Sequence, residues 1–161
     1  MIYLITGPVG SGKSTRLFDL YRTMSAMQSA ISCDGFYNLR LYEHGKSIGQ
    51  DLVHMSTGNR VPFSRVDNAI PEGWVEATRY RKYSFSKRGL QFAESIMEQM
   101  AENHADKAFI DELGPLELKK EGLYHGFQRL AACNIDVYAV CRDGCVGAMV
   151  ALLQLANPVI C

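Results

Sequence analysis

The chain reads Ile2-Tyr-Leu-Ile-Thr-Gly-Pro-Val-Gly-Ser-Gly-Lys-Ser-Thr15, and this stretch decides the fold. Its aliphatic part stops at a glycine turn, which is typical of a strand buried on both faces of a parallel sheet. The part that follows fits the phosphate-loop pattern G-x-x-x-x-G-K-[ST], with Gly7, Gly12, Lys13 and Ser14 at the defined positions. Apolar residues then recur at three- and four-residue steps over about residues 13–29, which predicts a helix directly after the loop.

The phosphate-loop pattern has a chemical basis. Glycines allow positive φ angles, so the backbone can close around a phosphate without steric clashes. The N–H groups of the loop and of the first helical turn then point at the β-phosphate. We expect Lys13 to bridge the β- and γ-phosphates, Ser14 to ligate Mg²⁺, and Thr15 to reach the α-phosphate. The predicted nucleotide-binding residues are Gly7, Pro8, Val9, Gly10, Ser11, Gly12, Lys13, Ser14 and Thr15.

Two acidic residues follow a second predicted buried strand, at residues 108–110. Asp111 stands at the carboxyl end of that strand, where it would hold Mg²⁺ together with Ser14. Glu112 would orient or deprotonate a water molecule in line with the γ-phosphate, which suits hydrolysis. By itself, an Asp-Glu pair at a strand end also fits two solvated acids. The phosphate loop earlier in the chain favours the catalytic interpretation.

The rest of the chain alternates between predicted strands and helices. Segments with strand character cover about residues 33–42, 47–55 and 61–66, and the turn-like residues between them predict antiparallel hairpins. A loop is predicted at residues 68–73, an extended segment at 80–85, helices at 86–103, 119–133 and 146–155, and a strand at 135–141. We predict an α/β three-layer αβα sandwich in one domain over residues 1–161, mainly parallel, with an antiparallel β-hairpin insert at about 33–66.

The chain resembles a known family, the small P-loop nucleoside-triphosphatases of the thermophilic and cancer-related type. The similarity rests on the phosphate loop, on Gly35-Phe-Tyr37 followed by Gly45-Lys-Ser-Ile-Gly49, and on Ile110-Asp-Glu-Leu-Gly-Pro-Leu-Glu-Leu118. Many other families share the loop, whereas the other two stretches are more specific. The resemblance implies a P-loop NTPase fold. It also implies Mg²⁺-dependent hydrolysis of several nucleoside triphosphates, ATP and GTP among them, to diphosphates with weak base discrimination.

Two positions depart from the pattern of this family. Many members carry Lys where this chain has Pro115. Members often have a basic pair after the strand that corresponds to residues 135–141, where this chain keeps Arg142 alone. At the carboxyl edge of the sheet, Arg142 would neutralise charge in the transition state. A surface arginine in a loop fits the sequence equally well.

Composition limits the classes of partner. The chain has 161 residues, 47% of them hydrophobic and 21% charged, and a formal net charge of +0, which argues against disorder and against a polyelectrolyte partner. Cations alternate with aromatic residues over residues 79–88. This pattern suits contact with the triphosphate or with single-stranded nucleic acid, but it also suits a strand with one core face. We do not expect nucleic acid as a partner.

The cysteines and the lengths of the apolar runs indicate where in the cell the protein is expected. Five cysteines without disulfide or metal-site spacing predict reduced thiols, and the apolar runs are shorter than a bilayer span. We therefore expect a cytoplasmic protein with no membrane partner.

The leading hypothesis is nucleoside triphosphate hydrolysis with Mg²⁺ as cofactor. Its catalytic residues would be Glu112, Lys13 and Arg142, and its metal ligands Ser14 and Asp111. One alternative is a nucleotide or small-molecule kinase, which would exclude water and transfer phosphate to an acceptor. The other is a binding module switched by nucleoside triphosphate, with slow hydrolysis and a protein partner on the insert.

Overall fold

The computed structural model of the protein describes residues 1–27 and 31–161. Within them, nine strands form one sheet, and helices pack on both of its faces. The strands are β1 (Ile2–Ile5), β2 (Cys33–Glu43), β3 (Lys46–His54), β4 (Arg60–Val66), β5 (Glu76–Tyr80), β6 (Tyr83–Ser86), β7 (Lys107–Leu113), β8 (Asp136–Cys141) and β9 (Val159–Ile160). The helices are α1 (Lys13–Met27), α2 (Lys87–Glu102), α3 (Pro115–Leu118), α4 (Tyr124–Ala132) and α5 (Val146–Leu152), with 3₁₀ turns at Asp67–Ala69 and Asp143–Cys145.

The sheet is parallel in one half and antiparallel in the other. Its strand order is β5-β6-β4-β3-β2-β7-β8-β1-β9. β1 pairs in parallel with β8 and β9, and β7 pairs in parallel with β2 and β8. The other pairings, from β2 outward to β5, are antiparallel. The predicted three-layer α/β fold is confirmed, but the sheet is parallel over only part of its width.

Consecutive residues of β7 pack into two different cores, because side chains alternate between the faces of a sheet. Ala108 and Ile110 lie in a cluster with residues of α2, α4 and α5. Phe109 lies in a second cluster with Leu17 of α1. All four side chains are fully buried. Helices on both faces explain why residues 108–110 of this strand are all apolar.

α2 follows directly from its sequence pattern. Ser86 Oγ accepts a 2.8 Å hydrogen bond from the Gly89 N–H group and thereby caps the first turn. Residues at helical spacing then face the sheet and are buried, namely Ala93, Ile96, Met97 and Met100.

The structure corrects several predicted elements. The helix predicted over residues 119–133 is α4 alone, which begins at Tyr124 after a turn in which Gly122 has a φ of +61°, and the short helix α3 before that turn was not predicted. The extended segment predicted at 80–85 belongs to the β5–β6 hairpin, so the antiparallel region reaches Ser86 and does not end at residue 66. The last helix ends at Leu152, and β9 was not predicted. Residues 28 and 29 of the predicted first helix lie outside the described residues.

The cysteines are free thiols, and Cys141 and Cys145 are buried. Burial raises the pKa of Cys141 to about 12, so this thiol stays protonated. The described residues contain no group of three or more His, Cys, Asp or Glu side chains that could hold a metal ion. None of the described helices combines the length and apolar character needed to cross a membrane.

Candidate active site

The phosphate loop joins the end of β1 to the start of α1, at the carboxyl edge of the parallel strands. Gly10 and Gly12 have φ angles of +82° and +79°. No atom lies within 4 Å of a Cβ placed on either residue, so conformation and not space selects glycine there. Because α1 begins at Lys13, the N–H groups of its first turn have no partners within the helix. The loop therefore presents backbone donors suited to an anion.

The ammonium group of Lys13 lies over the loop itself. Lys13 Nζ donates hydrogen bonds of 2.7 Å to the Gly7 carbonyl and 2.8 Å to the Pro8 carbonyl. The Gly7 N–H group donates to a carboxylate oxygen of Asp143 at 2.5 Å. Hydrogen bonds between two ionised groups are stronger than those to neutral carbonyls. Lys13 can therefore exchange these carbonyls for phosphate oxygens.

Asp111 is held between the loop and β2. Ser14 Oγ donates a 3.0 Å hydrogen bond to Asp111 Oδ1. The backbone N–H group of Asn38 donates a 3.0 Å hydrogen bond to the other carboxylate oxygen, Oδ2. The side-chain amide of Asn38 donates to the backbone carbonyl of Asp111 at 3.1 Å. Hydrogen bonds from two different elements thus fix the carboxylate beside the phosphate loop.

Complete burial of the Asp111 side chain affects its ionisation. Desolvation raises the pKa of Asp111 to about 6, and the charge of Glu112 adds to the rise. The hydrogen bonds from Asn38 and Ser14 lower it, because they favour the charged form. The carboxylate is therefore largely ionised at neutral pH, as ligation of a cation requires.

Ser14 and Asp111 fit a Mg²⁺ site by the chemistry of their oxygen atoms. Mg²⁺ binds hydroxyl and carboxylate oxygens, and it usually takes one or two carboxylates while keeping several waters or substrate phosphates. The hydrogen bond of 3.0 Å brings both oxygens to one place beside the loop. These two residues would hold the ion.

Glu112 forms an ion pair with the arginine that follows β8. Arg142 Nε donates a 2.7 Å hydrogen bond to Glu112 Oε1, and the two side chains are 42% and 21% exposed. Burial alone would lower the pKa of Arg142, but the Glu112 carboxylate outweighs it and raises that pKa. The Arg142 guanidinium also lies 5.8 Å from the ring centre of Tyr80. The three side chains line one cleft, with a cavity of about 50 Å³ that Asn38 and Gln50 also border.

Sequence reasoning missed two buried polar residues at this edge of the sheet, Asn38 and Glu117. Glu117 accepts hydrogen bonds from the N–H groups of Gly114, at 2.7 Å, and Leu123, at 3.0 Å. Burial raises the pKa of Glu117. Glu117 accepts the Gly114 N–H group from three residues further along, as the Glu of a capping box does, but glycine has no side chain for the other half of that motif, so the sequence gives only a weak signal for Glu117. Asn38 lies in a strand with no comparable signal.

Other predicted residues lie in less specific surroundings. Val9 is 84% exposed at the tip of the loop. Pro115 is the first residue of α3. In the basic segment, Arg79 pairs with Asp67 and Glu76. Tyr80 is the residue of this segment that lies against Arg142.

Comparison with known proteins identifies the family. A sequence profile of the NTPase family matches residues 2–155. The chain belongs to this NTPase family. Its resemblance to the small nucleoside-triphosphatases is therefore confirmed.

Proteins similar to this chain in sequence are named nucleoside-triphosphatases. Nucleoside-triphosphatase THEP1 of Pyrobaculum calidifontis is 31% identical over 120 residues, which cover 74% of this chain and 61% of the relative. The cancer-related nucleoside-triphosphatase homolog of Mus musculus is 32% identical over 120 residues, covering 71% and 60%. The match to this chain thus spans about three-fifths of the length of these relatives.

Two solved structures have the same fold as this NTPase chain. THEP1 from Aquifex aeolicus superimposes with a TM-score of 0.72 at 20% identity, covering 99% of this chain and 88% of that one. The human cancer-related nucleoside triphosphatase superimposes with a TM-score of 0.71 at 22% identity, covering 99% and 86%. At these identities, the superpositions establish the fold alone.

Proposed function

We propose that this protein hydrolyses nucleoside triphosphates, ATP and GTP among them, to nucleoside diphosphate and phosphate in a Mg²⁺-dependent reaction. Residues 1–161 would act as one domain. The observation that carries the proposal is the hydrogen bond of 3.0 Å between Ser14 Oγ and Asp111 Oδ1, which links the phosphate loop to the acidic pair on β7. The names of the relatives agree with this activity.

Substrate binding would begin at the loop. The triphosphate would replace the Gly7 and Pro8 carbonyls as the partner of Lys13 Nζ. The free N–H groups at the start of α1 would hold phosphate oxygens. Ser14 and Asp111 would hold Mg²⁺, which supplies positive charge against the β- and γ-phosphates when bound. The bases would differ little in affinity, because these contacts involve only the phosphates.

Hydrolysis would use Glu112 as the general base. Glu112 would take a proton from a water molecule whose oxygen forms a bond to the γ-phosphorus. The bond from that phosphorus to the bridging oxygen would break, and the nucleoside diphosphate would leave. Arg142 pairs with Glu112, and it would turn to the γ-phosphate oxygens as their charge develops.

The cleft beside Glu112 has room for water. Its cavity of about 50 Å³ is larger than the volume that one water molecule needs, which is on the order of 10–15 Å³. A water molecule can therefore lie beside the proposed base, as hydrolysis requires.

The decisive experiment measures phosphate release and acceptor phosphorylation together. Purified protein is given ATP, GTP, CTP or UTP, with Mg²⁺ or with EDTA, and with or without nucleoside monophosphates. Hydrolysis predicts Mg²⁺-dependent phosphate release from all four nucleotides, unchanged by monophosphates. Preferential phosphorylation of an acceptor would establish the kinase instead. Nucleotide binding without measurable turnover would point to the switched binding module.

A further inference from the structure

Asn38 is a polar side chain buried at an energetic cost beside the candidate active site. It is only 8% exposed. Its Oδ1 atom is buried and accepts no hydrogen bond from the residues that the structure describes. A buried carbonyl without a partner is costly, and in native structures such groups are uncommon. An apolar residue of similar size would avoid this cost, so the carboxamide calls for a functional explanation.

The amide end of Asn38 shows which way the side chain is oriented. Only the NH₂ group of the carboxamide can donate to the Asp111 carbonyl, at 3.1 Å. That carbonyl belongs to the peptide group joining Asp111 to Glu112. Oδ1 is therefore the unpaired end, and Asn38 borders the same small cavity as Glu112 and Arg142. Asn38 and the proposed general base thus border one cavity, and the carbonyl end of Asn38 is the end without a partner.

A reactive water needs two acceptors to fix its orientation. Its two O–H groups donate, and a lone pair must point at the γ-phosphorus. Glu112 supplies one acceptor. We infer that Asn38 is a positioning residue for the proposed hydrolysis: its NH₂ group fixes the peptide between Asp111 and Glu112, and its Oδ1 accepts the second hydrogen bond of the attacking water. This inference rests on the proposed function.

The Arg142–Glu112 pair lines the cleft, and Arg142 Nε lies 2.7 Å from Glu112 Oε1. In the inferred mechanism, Arg142 turns to the γ-phosphate and releases the carboxylate. The cleft then opens enough for a water molecule to reach the buried Oδ1 of Asn38. One proton of the water then passes to Glu112, while Asn38 keeps its hydrogen bond and exchanges no proton.

Three variants test this role, namely Asn38→Leu, Asn38→Asp and, as a control on the exposed side of α2, Gln99→Leu. Asn38→Leu removes both polar groups while keeping the branched shape of the side chain. We expect its kcat to fall roughly 100-fold, since small misplacements of reacting groups cost that much. Its Kd for a non-hydrolysable triphosphate analogue should stay within about twofold. Gln99→Leu should keep kcat within about threefold.

Magnesium titration separates a water-positioning role from simple support of Asp111. If Asn38 only supports Asp111, Asn38→Leu should need more Mg²⁺ and recover its kcat once Mg²⁺ is saturating. We expect no such recovery. A recovered kcat, or a kcat within twofold of wild type, would overturn the inference.

Asn38→Asp keeps the shape of the side chain and its acceptor Oδ1, but it replaces the NH₂ group that donates to the Asp111 carbonyl with a second oxygen. We expect its kcat to fall at saturating Mg²⁺, because the peptide between Asp111 and Glu112 loses its donor. A kcat within twofold of wild type would contradict the inference. This variant decides the question if Asn38→Leu does not fold.

Glu112→Gln, measured alongside, keeps the two proposals distinguishable. If turnover is lost in Glu112→Gln but kept in both Asn38 variants, only the proposed role of Asn38 is excluded. If Glu112→Gln turns over as wild type does, the proposed general base itself is excluded.

Discussion

Arg142 Nε donates a 2.7 Å hydrogen bond to Glu112 Oε1, so two side chains proposed to act on the γ-phosphate neutralise each other. They come from the carboxyl ends of neighbouring parallel strands, β8 and β7. In the proposed mechanism, the contact would keep Glu112 from acting as a free base while no phosphate competes for Arg142. Substrate entry would break this ion pair at the moment when both charges are needed.

Replacing Arg142 tests whether this guanidinium stabilises charge in the transition state. For Arg142→Ala, we expect kcat to fall at least roughly 100-fold, because arginines that contact a transferred phosphoryl group contribute 10³-fold or more. Affinity for nucleoside diphosphate should change little, since the γ-phosphate is absent there. Steady-state kinetics and calorimetric titration measure the two quantities. Arg129→Ala is the matched control, because Arg129 pairs with Glu98 on the exposed surface.

An Arg142→Ala variant with wild-type kcat would assign the residue a surface role only. A variant with higher kcat would show that the ion pair restrains Glu112 without Arg142 contributing to catalysis.

Glu112→Gln tests the general base. The amide keeps the size of the side chain but cannot take a proton, so we expect kcat to fall roughly 10²- to 10⁴-fold. Nucleotide affinity should remain within a few-fold, because Ser14, Lys13 and the loop are unchanged. Single-turnover phosphate release and fluorescent-nucleotide binding measure the two effects. Glu94→Gln on the exposed side of α2 controls for loss of one acidic group. Equal turnover in Glu112→Gln and wild type would refute the assignment.

Lys13→Ala tests the loop as the phosphate site. Within the part of the chain that the structure describes, Lys13 Nζ donates hydrogen bonds to loop carbonyls alone, so the substitution should leave the melting temperature nearly unchanged. Triphosphate binding should become too weak to measure, or at least roughly 100-fold weaker, because the charge-assisted contact is lost. Lys119→Ala, an exposed lysine outside the loop, should bind as wild type does. Tight binding by Lys13→Ala would place the nucleotide elsewhere.

The sequence predicts one side of this site well, for a physical reason. Residues 2–15 and 107–113 carry local signals, namely apolar strands, a glycine loop and acids at a strand end. Carboxyl ends of parallel strands meet at one edge, so Ser14 and Asp111 were expected to be close. No local sequence pattern indicates that β2 contributes a residue to this site. Asn38 reaches Asp111 because β2 pairs with β7 at residues 33–36, a pairing between segments distant in sequence.

The antiparallel half of the sheet was underestimated for a related reason. The β5–β6 hairpin turns at Arg81, which has a φ of +53°, and no glycine or asparagine marks this turn. Residues 80–85 therefore looked like a single extended segment. β9 has only two residues, too few for a periodic pattern. Alternation and turn residues predict elements only where they are long enough or carry the favoured turn residues.

Glu117 should give the protein a measurable pH dependence of stability. Burial raises the pKa of Glu117 in the folded state above the ordinary value of 4.5. Between these two values, the folded protein holds a proton that the unfolded chain has released. The free energy of unfolding therefore falls as the pH rises through this interval. The stabilising contribution is complete below about pH 4.5 and is lost above the raised pKa.

Urea unfolding of wild type and Glu117→Gln, measured at half-unit steps from pH 4 to 8, checks this expectation. Glutamine does not titrate, so the unfolding free energy of wild type minus that of Glu117→Gln should fall as the pH rises. The raised pKa of Asp111 acts in the same direction, but it is common to both proteins and cancels in the difference. A difference that is constant across the whole pH range would mean that Glu117 has the same pKa in the folded and unfolded states.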